Sequence, residues 1–311
     1  MAWSIFLPQA MHILILGSDL DEEAAYLKGS LEAAGASVDY WDNQLFPQYL
    51  QLTWQAHTYE GWLYLPGGKT IVLNEIQSVF WHHLHLYPID GTPYADLHPV
   101  AMADSSSLLR SLIRGCSAHW INSWEAHRFY QEKPLQLSAV ENLGIAIPRT
   151  LTSNNLTHLK AFAAMVSPLI LKSFYRDTHA TLLDVSQLDQ DFLRDALQRS
   201  PITLQEYIPG KNIRCYVIGN YVCAAEIRST YIDFRRDRHA RLIPAILPDN
   251  IHTDCLRVAQ ALFLEWAAID WRLSPRGEFI FLQADPSPEF MFFEQTTGFP
   301  LTERLVQLLM S

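Results

Sequence analysis

The sequence predicts an α/β chain that opens with a parallel β-α-β unit and continues into a hairpin-rich, antiparallel α+β region. Three observations carry this. His12-Ile13-Leu14-Ile15-Leu16-Gly17 is a short apolar run ending in glycine, followed by a helical pattern from about Leu20 to Ala34 and a second strand-like run, Ser37-Val38-Asp39-Tyr40-Trp41. Gly219-Asn220 sits between strand-like runs at 212–218 and 221–229, the usual place of a two-residue hairpin turn. Arg276-Gly277 separates another pair of runs, at 267–273 and 278–284.

The other elements follow in order. Gly35 stops the first helix. Strands are expected at 61–65 and 76–82, a helix at 100–114, and a strand at Trp120-Ile121-Asn122. A helix is expected over 124–143, ending at Gly144, with Pro134 in a first turn or at a break near 132. Ile145–Leu151 reads as a strand, 155–165 as a helix, Leu169–Lys172 and 179–185 as strands, and 188–199 as a polar helix. A strand at 202–207 precedes the first hairpin, a helix spans 251–266, and a last helix covers 301–310.

Composition narrows the function. The 311 residues suggest two domains, or three subdomains. With 49% apolar and 18% charged residues the chain is globular. A net charge of −10 argues against non-specific nucleic-acid binding, despite a local cluster at Arg235, Arg236, Arg238 and Arg241. No run is long and apolar enough to cross a membrane, and Met1–Ala10 lacks the basic start of a signal peptide. Met11 lies just before the first strand, so residues 1–10 read as an added or alternative start. Cys116, Cys215, Cys223 and Cys255 form neither a CxxC pair nor a zinc spacing, so they read as core residues of a reducing, cytoplasmic protein. A single glycine after the first strand gives no dinucleotide fingerprint, so an NAD or nucleotide-sugar enzyme is not favoured. Only six of 23 basic residues are lysines: Lys28, Lys69, Lys133, Lys160, Lys172 and Lys211.

Three segments imply chemistry. Lys172 ends the apolar run Pro168–Leu171; it either sends its ammonium to solvent or serves as a phosphate ligand. Gln205-Glu206-Tyr207-Ile208-Pro209-Gly210 joins two strands and can present backbone groups to a flat heterocycle. Strand alternation puts Asp270 and Arg272 on one face and Gln283 and Asp285 on one face, so adjacent strands converge oxygen donors that suit Mg²⁺ on nucleotide phosphates, or form a surface ion pair.

Taken in order, these pieces resemble an ATP-grasp ligase of the glutamate-ligase (RimK-like) and graspetide (microviridin-type) peptide-ligase branch, over about residues 76–309. The matching elements are Asn122 through Lys133, Gly144–Thr150, Leu169–Lys172, Gln205–Ile208, Ile213–Gly219, Ala224–Ile227, Asp233-Phe234-Arg235, Asp270-Trp271-Arg272, Gln283–Pro288 and Phe293–Pro300. The resemblance implies an N-terminal Rossmann-like pre-ATP-grasp domain at 1–123, a central ATP-grasp subdomain at 124–204 and a C-terminal one with an antiparallel sheet at 205–311. It implies ATP and Mg²⁺ as cofactors. Lys133 and Lys172 would meet phosphate oxygens. Gln205, Glu206, Tyr207 and Ile208 would form the adenine hinge, and Asn212 a ribose or phosphate contact. Arg214 would lie near the transferred phosphate, Arg228 and Arg235 on the acyl-phosphate side, and Asp270, Gln283 and Asp285 at the metal, with Arg272 beside them.

Two departures stand out. The family usually has Glu-x-Asn where this chain has Gln283-Ala284-Asp285, so a bridging glutamate is lost while the net charge is kept. The segment Ser173–His179 contains no glycine, which favours the graspetide branch. Trp81-His82-His83 stands where the branch often has a basic pair; His83 and His85 share a strand face and read as substrate- or core-facing rather than metal-binding. The implied activity is ATP-dependent ligation of a carboxylate through an acylphosphate, giving an amide or ester on a peptide, with both partners in one precursor. The alternatives are a RimK-like glutamate ligase acting on a protein or small molecule, and a degenerate ATP-grasp protein that binds nucleotide without ligation. The implied partners are a peptide or small-molecule carboxylate, no nucleic acid, no membrane, and a homodimer as an available assembly.

Overall fold

A computed structural model describes residues 10–82, 98–172, 180–189, 191–234, 237 and 239–311. The first elements are β1 (His12–Leu16), α1 (Glu22–Ala33) and β2 (Ser37–Trp41). Asp21 caps α1: its Oδ1 accepts the N–H groups of Glu23 and Ala24 at 2.9 and 3.0 Å. Gly35, at φ +95°, closes the helix, and the Ala36 N–H returns to the Leu31 carbonyl. β3 (Gln51–Gln55), β4 (Glu60–Tyr64) and β5 (Thr70–Val72) form a separate antiparallel sheet. β6 (Ser78–Trp81), α2 (His98–Gly115), β7 (His119–Ile121) and α3 (Trp124–Gln131) follow. The parallel sheet runs β2-β1-β6-β7, as the opening β-α-β pattern requires.

The next stretch holds α4 (Lys133–Glu141), β8 (Thr150–Ser153), α5 (Leu156–Met165), β9 (Leu169–Lys172), β10 (Thr181–Leu182), α6 (Asp191–Leu197) and β11 (Ile202–Glu206). Its sheet runs β10-β9-β11-β8, with all three neighbouring pairs antiparallel. Then come β12 (Lys211–Ile218), β13 (Tyr221–Arg228), β14 (Arg241–Ala245), α7 (Asp249–Ala261), β15 (Trp266–Leu273) and β16 (Phe279–Asp285), in a five-stranded sheet of order β14-β13-β12-β15-β16. The Gly219-Asn220 hairpin has the expected register, Ile218 opposite Tyr221. α8 (Met291–Thr297) and α9 (Leu301–Leu309) end the chain.

The chain forms two compact units: residues up to Arg128 with Phe263–Trp266 and Pro286–Ser311, and Phe129–Leu262 with Ala267–Asp285. In the first, Leu14, Leu16, Trp41, Leu63, Val79 and Trp81 lie in one buried apolar cluster. Asp39 is buried too, with Lys69 Nζ at 2.6 and 2.7 Å and His12 Nε2 at 2.7 Å. Burial works to raise the Asp39 carboxyl, but those hydrogen bonds outweigh it and hold it below its ordinary value. Glu23 reaches the start of α8, where its Oε1 accepts the Phe290 and Met291 N–H groups, both at 2.8 Å. Asn122 has no exposed surface and makes four side-chain hydrogen bonds: Nδ2 to the carbonyls of Trp266 (2.6 Å) and Pro286 (2.7 Å), Oδ1 from the N–H groups of Glu265 (2.8 Å) and Trp266 (3.1 Å).

Several expectations are corrected. The helix over 124–143 is two helices, α3 and α4, parted at Glu132; the Pro134 ring cannot follow an unbroken turn. Residues 145–149 are not a strand. Pro148 has no N–H to donate, and the Ala146 carbonyl accepts the Phe281 N–H as an isolated bond at 2.9 Å. The helix expected over 251–266 ends at Ala261, because Trp266 already belongs to β15. Among the described residues no helix is long and apolar enough to span a membrane. His83, His85 and Ser173–His179 lie outside the described residues.

Candidate active site

The site lies within the second unit, between strand ends that the local sequence positions. β11 and β9 pair antiparallel, which sets Lys172 opposite Thr203 and Gln205 opposite Ile170. The segment after β11 is pinned by backbone: the Glu206 N–H donates to the Arg149 carbonyl (2.8 Å) and the Tyr207 N–H to the Pro168 carbonyl (2.9 Å). Gly210 follows at φ +137°; a Cβ there would lie 2.0 Å from the Leu273 carbonyl oxygen, so only glycine lets β12 begin beside β15.

These elements enclose a cleft of about 670 Å³, including its open mouth. Its walls include Lys172, Gln205, Glu206, Tyr207, Ile208, Asn212, Asp270, Arg272 and Gln283. Nine of the residues singled out from the sequence thus meet in one place. Gln205 is 2% exposed; its Nε2 donates to Thr150 Oγ1 at 2.9 Å, while its buried Oε1 has no hydrogen-bond partner. An orphaned buried acceptor on a cleft wall is costly unless a ligand donates to it. The exocyclic amine of adenine is such a donor. The Glu206 carboxylate instead turns to Arg149, 3.3 Å from its Nε.

Charged groups gather around Asp270 and Gln283, which stand on the cleft wall. Arg214 on β12 makes a bidentate pair with Asp270 on β15: Nε to Oδ1 at 2.8 Å and Nη2 to Oδ2 at 2.9 Å. Burial alone would lower the Arg214 pKa, but the Asp270 carboxylate outweighs it and raises it, with a smaller contribution from Asp285. The Arg214 guanidinium also lies 5.0 Å from the Phe234 ring centroid. Gln283 Nε2 donates to Asp270 Oδ2 at 2.9 Å, and Lys133 Nζ donates to Gln283 Oε1 at 3.4 Å. Lys133 is placed there by Gln136, one turn on in α4, whose amide exchanges two hydrogen bonds with the Ala284 backbone (2.9 and 3.0 Å). Sequence reasoning missed Gln136; its signal is the three-residue spacing from Lys133.

Other residues fall elsewhere. Arg272 makes no ion pair with Asp270 among the described residues: Nη1 donates to the Gly210 carbonyl at 3.4 Å and the guanidinium lies 5.9 Å from the Tyr207 ring. Burial lowers its pKa. Arg228 is not on the cleft wall; it pairs with Glu226 at 2.8 Å and lines a neighbouring cavity with Lys211. Asp285 is two residues beyond Gln283 on β16. Arg235 lies outside the described residues. Among the described residues no group of three His, Cys, Asp or Glu could hold a metal ion.

Comparison with known proteins decides the family. The model of the RimK-like ATP-grasp domain matches residues 130–309. The chain belongs to the RimK-like ATP-grasp family. It is similar to a probable alpha-L-glutamate ligase of Mannheimia succiniciproducens, 28% identical over 253 residues, which cover 73% of this chain and 82% of the relative. Its fold is similar to that of the macrocyclase MdnC of Microcystis aeruginosa, solved with the precursor peptide MdnA. The TM-score is 0.85 and the identity 24%, covering 97% of this chain and 99% of that one. It is likewise similar to a RiPP-associated ATP-grasp ligase of Chryseobacterium gregarium, solved with ADP and a leader and core peptide, with a TM-score of 0.81 and 22% identity over 96% of each chain. The expected ATP-grasp fold, α/β with antiparallel sheets, is therefore the fold of this RimK-like ATP-grasp ligase, and the orphaned Gln205 acceptor fits the ATP such ligases use.

Proposed function

We propose that the protein joins a peptide carboxylate to an amine or hydroxyl through an acylphosphate, at the cost of ATP. The observation that carries this is the convergence of Lys172, Gln205, Tyr207, Asn212, Asp270 and Gln283 on one cleft. A carboxylate oxygen attacks the terminal phosphorus, and the bond to ADP breaks. The amine or hydroxyl then attacks the acyl carbon, phosphate leaves with the bonding electrons, and the nucleophile's proton is released. None of this needs a covalent protein intermediate, so the side chains position and neutralise. Gln205 and the 206–208 backbone orient the base. Lys172, Lys133 and Arg214 oppose phosphate charge, which is where electrostatic stabilisation matters most.

The oxygen donors on β15 and β16 suit a hard cation that keeps water and phosphate among its ligands. Mg²⁺ bound there would neutralise phosphate charge, with Asp270, Gln283 and Asp285 as the oxygen donors the two strands supply. A cytoplasmic setting agrees with four buried free thiols, of which burial pushes Cys223 up to about 12.

A peptide substrate is favoured by the likeness, along nearly the whole chain, to a macrocyclase and a RiPP-associated ligase that were both solved with peptides. Glutamate addition is the second reading, favoured by the relative named as a glutamate ligase. Mass spectrometry separates them. With ATP, Mg²⁺ and acidic peptides bearing Thr, Ser or Lys, the first predicts a product lighter by one water per bond formed. The second predicts a product heavier by a glutamyl residue, and only when free glutamate is present. ATP bound without ADP release under every acceptor would contradict both.

A further inference from the structure

Gln205 and Thr150 stand directly opposite on the antiparallel pair β11–β8, so their side chains leave the sheet on one face. They meet there: Gln205 Nε2 donates to Thr150 Oγ1 at 2.9 Å. The hydroxyl's own proton goes to the Pro148 carbonyl, at 2.8 Å. A carbonyl oxygen only accepts, so Thr150 Oγ1 has nothing but lone pairs left for Gln205. The amide therefore has one orientation in which both contacts hold. Turned over, Oε1 would face an oxygen with no proton between them. The Pro148–Thr150 run is itself fixed along β11. The Arg149 carbonyl takes the Glu206 N–H at 2.8 Å, and the Arg149 N–H reaches Glu206 Oε2 at 3.3 Å.

The end that remains is Oε1, buried and with no hydrogen-bond partner among the described residues, on a side chain that lines the cleft. It is an obligatory acceptor. The exocyclic amine of adenine can donate to it; the carbonyl oxygen at the same ring position of guanine or hypoxanthine cannot. An amide free to rotate would serve either kind of base, with Oε1 toward an amine or Nε2 toward a carbonyl. A buried acceptor set against another acceptor leaves both unsatisfied, the condition under which a hydrogen-bonding site discriminates most strongly.

We propose that Thr150, committed to the Pro148 carbonyl, fixes the Gln205 amide with its oxygen toward the cleft and so makes the site selective for adenine nucleotides. Gln205 touches the base; Thr150 is a positioning residue that acts through it. The inference rests on reading the cleft as the nucleotide site and deepens that reading by assigning the residues that choose the base.

Calorimetric titration of the full chain with ADP, IDP and the diphosphate of purine riboside, each with Mg²⁺, tests this without turnover. The unsubstituted protein should bind ADP about a hundredfold or more tighter than IDP. Purine riboside diphosphate, which carries neither amine nor oxygen at that ring position, should fall between them. Thr150→Val keeps the shape of the side chain and removes the hydroxyl. It should bring ADP and IDP to within about tenfold of each other, chiefly by tightening IDP, because the freed amide can turn. Thr150→Ala should do the same, and Thr150→Ser, which keeps the hydroxyl, should keep the preference. A thermal melt shows that each variant is folded; a merely structural role would weaken both nucleotides together and leave their ratio alone. ADP and IDP bound within a few-fold by the unsubstituted protein would overturn the proposal. So would folded Thr150→Val and Thr150→Ala variants that keep the full preference. If none of the nucleotides binds, the reading of the cleft falls, and this proposal with it.

Discussion

Arg214→Ala should lower kcat by about a thousandfold or more, the scale on which an arginine at a transferring phosphoryl group acts. The same change should destabilise the second unit. Asp270 is left as a buried carboxylate whose bidentate partner is gone, and breaking such a pair costs roughly 3–5 kcal/mol. The two effects are separated by Arg214→Lys. Lysine keeps the charge beside Asp270 but cannot make the paired Nε and Nη2 contacts. It should recover much of the thermal stability and little of the turnover. Steady-state kinetics beside a thermal melt reads both. Turnover by Arg214→Ala within a few-fold of the unsubstituted protein would show that the guanidinium acts on Asp270 alone.

The second large effect lies away from the chemistry. Asn122→Ala should cost roughly 3–5 kcal/mol, because it strands three backbone groups in the interior, each worth about 1–3 kcal/mol when left unsatisfied, and a fourth that water can reach. Those groups are the N–H of Glu265, the N–H and carbonyl of Trp266, and the carbonyl of Pro286. Asn122→Asp should be nearly as damaging, since a carboxylate oxygen would replace the Nδ2 donor opposite two carbonyls. Denaturant unfolding checks this directly. A loss below about 1 kcal/mol would mean that water replaces the side chain.

How much of this was legible in the sequence depends on whether the signal was local. The parallel start was, since an apolar run, a capped helix and Gly35 each speak for themselves. So was the hairpin at Gly219-Asn220. Lys172 stood out because a lysine closes an apolar run, and it does line the cleft. Two strands of the three-stranded sheet over 51–72 were missed. Its strands mix Gln, Thr, Trp and Gly without clean alternation, and only its middle strand was expected.

The site's order along the chain was visible; its partnerships were not. Asp270 with Arg214 joins positions 56 residues apart, and Gln136 with Ala284 joins positions 148 apart. No local pattern encodes such pairings. Arg272 illustrates the limit. Alternation put it on the face of Asp270, and both do line the cleft, but the sequence did not show that its guanidinium serves the Gly210 carbonyl. Arg228, too, stood out as an arginine, but its pairing with Glu226, two residues earlier on the same strand, was not visible. The scarcity of lysine gains meaning in the same way. Lys69 holds Asp39, Lys211 holds Glu226, Lys133 holds Gln283, and Lys172 faces the cleft.

The most direct measurement follows oxygen atoms. A peptide substrate is prepared with isotopically heavy oxygen in the reacting carboxylate and converted in the presence of ATP and Mg²⁺, and the released phosphate is analysed by mass. Ligation through an acylphosphate predicts that one heavy oxygen passes from the carboxylate into each phosphate released. Product formed with unlabelled phosphate would contradict the account, because the carboxylate would then have been activated without bonding to the terminal phosphorus.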